Sequence, residues 1–207
     1  QGKTTVMNAH RLAVAAIKAV KPDLPCGLTL AVQDIVPGPG GEALAAQHRQ
    51  DVNEVYLEEL THDDFVGVQC YTRHRYDAIG PMGPEAGVEL TDMGYEFWPE
   101  ALESSIRQAH ATTGIPVLVT ENGVATDNDE RRIEFVERAL SGVQKCLQDG
   151  LPVIGYTYWS AMDNYEWMLG YRPRFGLISI DRTTQGRTLK PSAQWLGAIA
   201  RANVMTV

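Results

Sequence analysis

Apolar residues along the chain fall into blocks that alternate between helical spacing and short continuous runs. From Thr5 to Val20, Val6, Ala9, Ala13, Ala16, Ile17 and Val20 recur at intervals of three and four, with Asn8, Arg11 and Lys18 on the other side. That stripe predicts an amphipathic helix, which Pro22 and Pro25 end. Gly27 to Val32 is a continuous apolar run of strand length, the kind buried on both faces of a parallel sheet. A second helix is expected within Glu42 to Leu60, then a short strand at Phe65-Val66-Gly67-Val68. Tyr71 to Trp98 is too rich in Gly and Pro for regular structure and reads as a long loop. Pro99 opens a helix running to about Thr112, followed by a strand at Pro116 to Thr120. Asp127 with Glu130 resembles a capping box for a helix whose buried stripe is Ile133, Val136, Leu140, Val143 and Leu147, closed by Gly150 and Pro152. Val153 to Thr157 reads as a fourth strand, and Pro191 opens a last helix carrying Trp195, Leu196 and Ile199. Four strands alternating with five helices, with no evident hairpin and no linker, predict parallel βα units in a single unit over residues 1–207.

Charge narrows the field. With 18 basic and 26 acidic side chains the formal charge is −8, which argues against a nucleic-acid binder. The longest apolar stretches, Leu28 to Val32 and Leu151 to Tyr158, fall far short of the roughly 20 residues of a membrane helix, so no membrane partner is expected. Cys26, Cys70 and Cys146 are odd in number and form no CxxC pair, which predicts a reducing, cytoplasmic setting rather than a disulfide framework or zinc knuckle. His10, His48, His62, His74 and His110 lack ligand spacing, so neither a metal nor a cofactor is expected. Gln1 to Thr5 holds no initiator Met and no signal-peptide core, and the start reads as the middle of something longer.

In parallel βα architectures the reactive groups sit at the C-terminal ends of strands. The third strand ends in Thr120-Glu121-Asn122-Gly123, placing a carboxylate at its last position; a helix-capping acid is the plain alternative. The fourth runs into Tyr158-Trp159-Ser160, where aromatic rings crowd with Asp163, Asn164 and Glu166 before Trp167. A sugar calls for that mixture, since its C–H face stacks on indole while its hydroxyls pair with carboxylate and amide groups. Gly38-Pro39-Gly40-Gly41 lacks the spacing of a dinucleotide fingerprint and reads as a turn.

Thr120-Glu121-Asn122-Gly123, Gly155 to Ser160, Asp163-Asn164-Tyr165-Glu166-Trp167 and Arg174-Phe175-Gly176-Leu177, in this order, resemble the second half of glycoside hydrolase family 1, the β-glucosidase family. Asp64 to Val68, Met93-Gly94-Tyr95-Glu96 and Lys190-Pro191-Ser192-Ala193 extend the resemblance over nearly the whole chain. It implies an α/β fold, the C-terminal half (strands five to eight) of a (β/α)8 TIM barrel, acting on a β-glycoside by a retaining mechanism. By the same resemblance Glu121 is the nucleophile and Tyr71 orients it, while Trp159, Glu166, Trp167, Phe175 and Gln69 bind substrate. Glu166 would repel a phosphate, which favours neutral glucosides or galactosides. The chain departs from the pattern at Gln69-Cys70-Tyr71, where Asn-Tyr-Tyr is usual, and at Tyr95, which stands for a common tryptophan. Cys70 reads as a small buried hydrophobe; the histidines read as surface residues, with a cleft-facing His74, between Arg73 and Arg75, as the lesser alternative.

The family's general acid belongs to an Asn-Glu-Pro motif, which does not occur here; Asn53-Glu54 runs into Val55 within a predicted helix, making Glu54 a helix-surface acid. The acid is therefore expected on an N-terminal half outside this sequence, and the open strand edges predict either that complementary half or self-association as partner. Two alternatives stand beside this reading. One is a non-catalytic sugar-binding half-barrel, and the other is a complete small enzyme using Asp34 or Glu85 as its acid.

Overall fold

The structure, a computed structural model, describes residues 2–204, so Gln1 and residues 205–207 of the expected single unit lie outside the described residues. The chain begins with α1 (Gly2–Val20), β1 (Thr29–Ala31), β2 (Asp34–Pro37), α2 (Glu42–Arg49) and a π-helical turn at Gln50–Glu54 that runs into α3 (Val55–Leu57). It continues with β3 (Val66–Gln69), β4 (Arg73–Tyr76), α4 (Ala101–Thr113), β5 (Val117–Asn122), α5 (Asp129–Gln148), β6 (Val153–Tyr158), β7 (Ile178–Ile180), β8 (Arg187–Leu189) and α6 (Pro191–Ala202).

The four apolar runs pair as expected into one parallel sheet in the order β1-β3-β5-β6. Val66, Val68, Val117 and Val119 are fully buried and share a core with Leu57, Leu102, Ile106 and Cys146 from the helices and Leu60 from the loop after α3. Gly67 has no room for a side chain, because a Cβ there would lie 2.8 Å from Thr29 Cβ on the neighbouring strand. A bulge after Val68 shifts the β3–β5 register so that Gln69 pairs opposite Glu121 instead of Thr120. Bulges re-aim side chains in this way at strand ends.

Several expectations need correction. The segment from Tyr71 to Trp98 is not wholly loop: Arg73–Tyr76 is β4, paired parallel with β2 as a two-stranded ribbon beyond the ends of β1 and β3. Its residues are polar or charged, so no apolar run announced it. A hairpin does occur, with β7 and β8 antiparallel around a turn in which Asp181 Oδ1 accepts from Thr183 N (2.8 Å) and Thr184 N (3.0 Å). The helix expected within Glu42 to Leu60 is interrupted by the π turn, which leaves Asn53 1% exposed under the β1–β2 connection. There Asn53 donates to Gln33 O (2.8 Å) and accepts from Gln33 N (3.1 Å). The cap of α5 is Asn128, whose side chain accepts from Glu130 N and Arg131 N, not Asp127.

Among the described residues β1 and β6 each pair on one side only within this sheet. Ile154 on β6 is 57% exposed, and α1 leaves Val6, Leu12, Ile17 and Val20 exposed while burying Met7. A groove of about 550 Å³ lies beside the β6 edge, lined by Leu140, Val143, Ile154, Tyr156, Leu196 and Ile199 among others. No described helix is long and apolar enough to cross a membrane.

Candidate active site

Strand β5 carries Glu121 to the rim of the sheet, and the chain turns away at Gly123, where a Cβ would lie 2.0 Å from Trp159 O. Only glycine fits that approach. Both carboxylate oxygens of Glu121 are held: Gln69 Nε2 donates to Oε1 at 2.7 Å and Tyr71 Oη to Oε2 at 2.6 Å. The strand-end backbone is fixed as well, since Cys70 N donates to Glu121 O (3.1 Å) and Asn122 Nδ2 to Cys70 O (2.7 Å), while Tyr156 Oη donates to Asn122 Oδ1 (2.9 Å). Burial first, and then the hydrogen bond to Glu121, push the Tyr71 phenol far above its ordinary range, so it stays a proton donor. Phe175 meets the Tyr71 ring edge-on, with centroids 5.9 Å apart.

A cavity of about 210 Å³ opens over Glu121, lined by Tyr71, Met93, Tyr95, Glu121, Trp159, Glu166 and Phe175. Glu166 sits in a tight turn closed by Glu166 N to Gly170 O (2.8 Å) and Gly170 N to Glu166 O (2.7 Å), and Asn164 Nδ2 donates to its Oε1 at 2.6 Å. The structure thus brings Glu121, Tyr71, Trp159, Glu166 and Phe175 to one cavity and puts Gln69 onto Glu121. It does not bring Trp167 there: that ring is 90% exposed beside Met168 at the tip of the same loop. His74 lines an adjoining cavity of about 240 Å³, which shares Tyr71 and Tyr95 with the first and also takes in Gln33 and Gln69.

Cys70 is 3% exposed, and burial pushes its thiol up to about 12, so it packs as a neutral side chain beside Ser105, whose Oγ donates to it at 3.2 Å. Neither alternative acid joins Glu121. Glu85 is 53% exposed and pairs with Arg73 (2.8 Å), and Asp34 lies on the β2–β4 ribbon. Glu54 accepts a long hydrogen bond from Gln108 on α4 (3.5 Å).

Asp34 has a different consequence. Burial pushes its carboxyl up to about 6, against the lowering charges of Arg49 and Arg73. A carboxyl whose folded value is raised costs stability once pH climbs above its unfolded value, and costs nothing below it. Asp34→Asn is therefore expected to stabilise the chain by about 1–2 kcal/mol near pH 8 and by little near pH 4. Urea unfolding at both pH values checks this; an equal effect at both would refute it.

Three structural supports escaped the sequence reading. Arg73 lies 3.6 Å over the Trp98 ring and donates to Glu96 Oε2 at 2.5 Å, with Glu96 5% exposed. Burial acts to raise the Glu96 carboxyl, but the Arg73 hydrogen bond and charge, together with Glu85 N, hold it below the usual range. This pair ties the segment bearing Met93 and Tyr95 to β4. Arg132 on α5, 1% exposed, pairs with Asp129 and donates to Thr126 O and to Arg174 O (2.8 Å), beneath Phe175. The third is the hold on Glu166 by Asn164, a residue read from the sequence only as a polar group for the sugar.

The family model described as Glycosyl hydrolase family 1 matches residues 42–205. The chain belongs to glycoside hydrolase family 1. Among family 1 structures, that of beta-glycosidase BGL167 is similar with a TM-score of 0.94 and 51% identity, over 97% of this chain and 48% of that one. A 1,4-beta-D-glucan glucohydrolase of Thermotoga neapolitana is 32% identical over 180 residues, 80% of this chain and 40% of its own length. A beta-glucosidase of Agrobacterium sp. is 30% identical over 242 residues, 93% of this chain and 53% of its own length. The chain spans about half the length of these family 1 relatives, and its four-stranded parallel sheet with outer helices is part of the family's (β/α)8 barrel.

Proposed function

We propose that this chain is the C-terminal half of a retaining β-glycosidase acting on neutral β-glucosides or β-galactosides, with Glu121 as nucleophile. The observation that carries the reading is one carboxylate, held at both oxygens by neutral donors, at the floor of a cavity whose walls are an indole, a second carboxylate and a phenol. Trp159 offers a face for the sugar's C–H surface, and Glu166, steadied by Asn164, accepts from its hydroxyls. A lone pair of Glu121 attacks the anomeric carbon as the bond to the leaving oxygen breaks, giving a glycosyl ester; water then attacks that carbon and the electron pair returns to the carboxylate. Leaving groups that are poor without protonation need a general acid, which we assign to a complementary N-terminal half-barrel. The one-sided edges of β1 and β6 and the apolar groove beside β6 support such a partner, or a second copy, covering them. Trp167, exposed in this half, would join the sugar wall on the completed barrel. The three cysteines are buried and unpaired, which supports a reducing compartment such as the cytoplasm.

A substrate whose leaving group needs no proton tests the reading on the chain by itself. Incubation with a dinitrophenyl β-glucoside bearing fluorine beside the anomeric carbon should add one fluoroglucosyl mass, mapped to the peptide containing Glu121. Sugar binding with no such adduct would mean a non-catalytic sugar-binding half.

A further inference from the structure

We propose that Gln69 is a positioning residue for Glu121, holding its carboxylate so that the glycosyl ester is released faster than it would be otherwise. This rests on Glu121 being the nucleophile, and departs from the role of sugar ligand that the resemblance implied for Gln69.

The geometry starts from the bulge after Val68, which sets Gln69 opposite Glu121 across the β3–β5 pair. From there the side-chain amide reaches Glu121 Oε1 at 2.7 Å, while Tyr71 holds Oε2 at 2.6 Å. The terminal torsion of a glutamate is soft, so one donor would leave the carboxylate plane free to swing. Two donors on different oxygens fix it. Each oxygen keeps a lone pair, so the hold does not block attack.

The two covalent steps feel this hold differently. In ester formation a Glu121 oxygen makes the bond to the anomeric carbon, the aryl oxygen leaves with its electron pair as dinitrophenolate, and the carboxylate gives up its charge. The amide then helps by orientation but opposes the loss of charge, and the two effects offset. In release, water attacks the anomeric carbon and passes its proton to buffer. The bond to Glu121 breaks with its pair returning to the carboxylate, so the charge the amide stabilises is restored, and orientation and electrostatics act together. Gln69 should matter more for release than for formation.

The experiment uses the chain itself with the dinitrophenyl fluoroglucoside, following gain and then loss of the adduct by intact mass in the parent, Gln69→Asn and Gln69→Leu. Asparagine keeps the amide but is one methylene short of Oε1, and it covers the case in which the leucine variant fails to fold. Release should slow by about ten-fold in both variants while formation changes by less than about three-fold. A merely structural role would move both steps together or neither, and that result overturns the proposal. So does an asparagine variant that behaves like the parent. A parent labelled at Glu121 with variants unchanged sinks this inference alone, whereas a parent that is never labelled sinks the nucleophile with it.

Discussion

Glu121→Gln is expected to lower turnover of a dinitrophenyl β-glucoside by on the order of ten-thousand-fold. The substitution keeps the shape of the side chain and one of the two acceptor oxygens, so it leaves either the Gln69 or the Tyr71 donor facing the new amide nitrogen but does not open or fill the cavity over position 121. What disappears is the anionic lone pair that bonds to the anomeric carbon, and a neutral amide oxygen is a poor replacement. Because the leaving group departs unprotonated, the assay reads the nucleophile without depending on an acid from elsewhere. Release of dinitrophenolate, followed by absorbance, measures the effect. A variant within about ten-fold of the parent would remove Glu121 from the mechanism.

Arg132→Met is expected to cost about 3–5 kcal/mol of stability. The guanidinium is 1% exposed, and its removal leaves the Asp129 carboxylate without its cation and deprives Thr126 O and Arg174 O of a donor. Asp129 is also the acceptor for Ser192 N (2.8 Å) and Ser192 Oγ (2.7 Å), so the loss spreads to the first turn of α6. Methionine fills similar volume, which separates the charge and hydrogen-bond loss from a cavity. Urea unfolding with an unchanged slope gives the number, and a loss below about 1 kcal/mol would mean that the network is redundant.

The sheet was legible because its strands read as continuous apolar runs; the central pair β3 and β5, with Val66, Val68, Val117 and Val119 fully buried, are the plainest cases, whereas the edge strand β1, expected to be buried on both faces, has Thr29 and Ala31 exposed. Elements whose stability comes from elsewhere left no such trace. Strand β4 is Arg-His-Arg-Tyr and exists because β2 offers it an edge. Hairpin β7–β8 is three residues a side and depends on Asp181 in its turn. In the site, Glu121, Tyr71, Trp159, Glu166 and Phe175 were named through short motifs that resemble those of the family, and they do meet at one cavity. The reach of Gln69 was not legible, because the bulge that aims it is a backbone event at a single residue. Arg132 could not be separated from the other charges of a polar helix face, since an acid at i−3 such as Asp129 is common on any helix and its carbonyl partners, Thr126 and Arg174, lie on loops 6 and 42 positions away in sequence.

The π turn at Gln50–Glu54 behaves as a surplus residue stored within a helix. An α-helix advances by 100° per residue, so a one-residue surplus offsets the phase of everything that follows it. Before the turn Ala45 is buried, and after it Leu57 and Leu60 reach the core, with Asn53 turned inward between them. Shortening this segment by one residue would force a choice between keeping the leucines in the core and keeping Asn53 on Gln33. Length variation among chains of this fold should therefore be tolerated around the exposed Ala86 and Gly87 of the 77–97 connection far better than in this helical segment, although Glu121 takes its side-chain hydrogen bonds from Gln69 and Tyr71 and not from that segment.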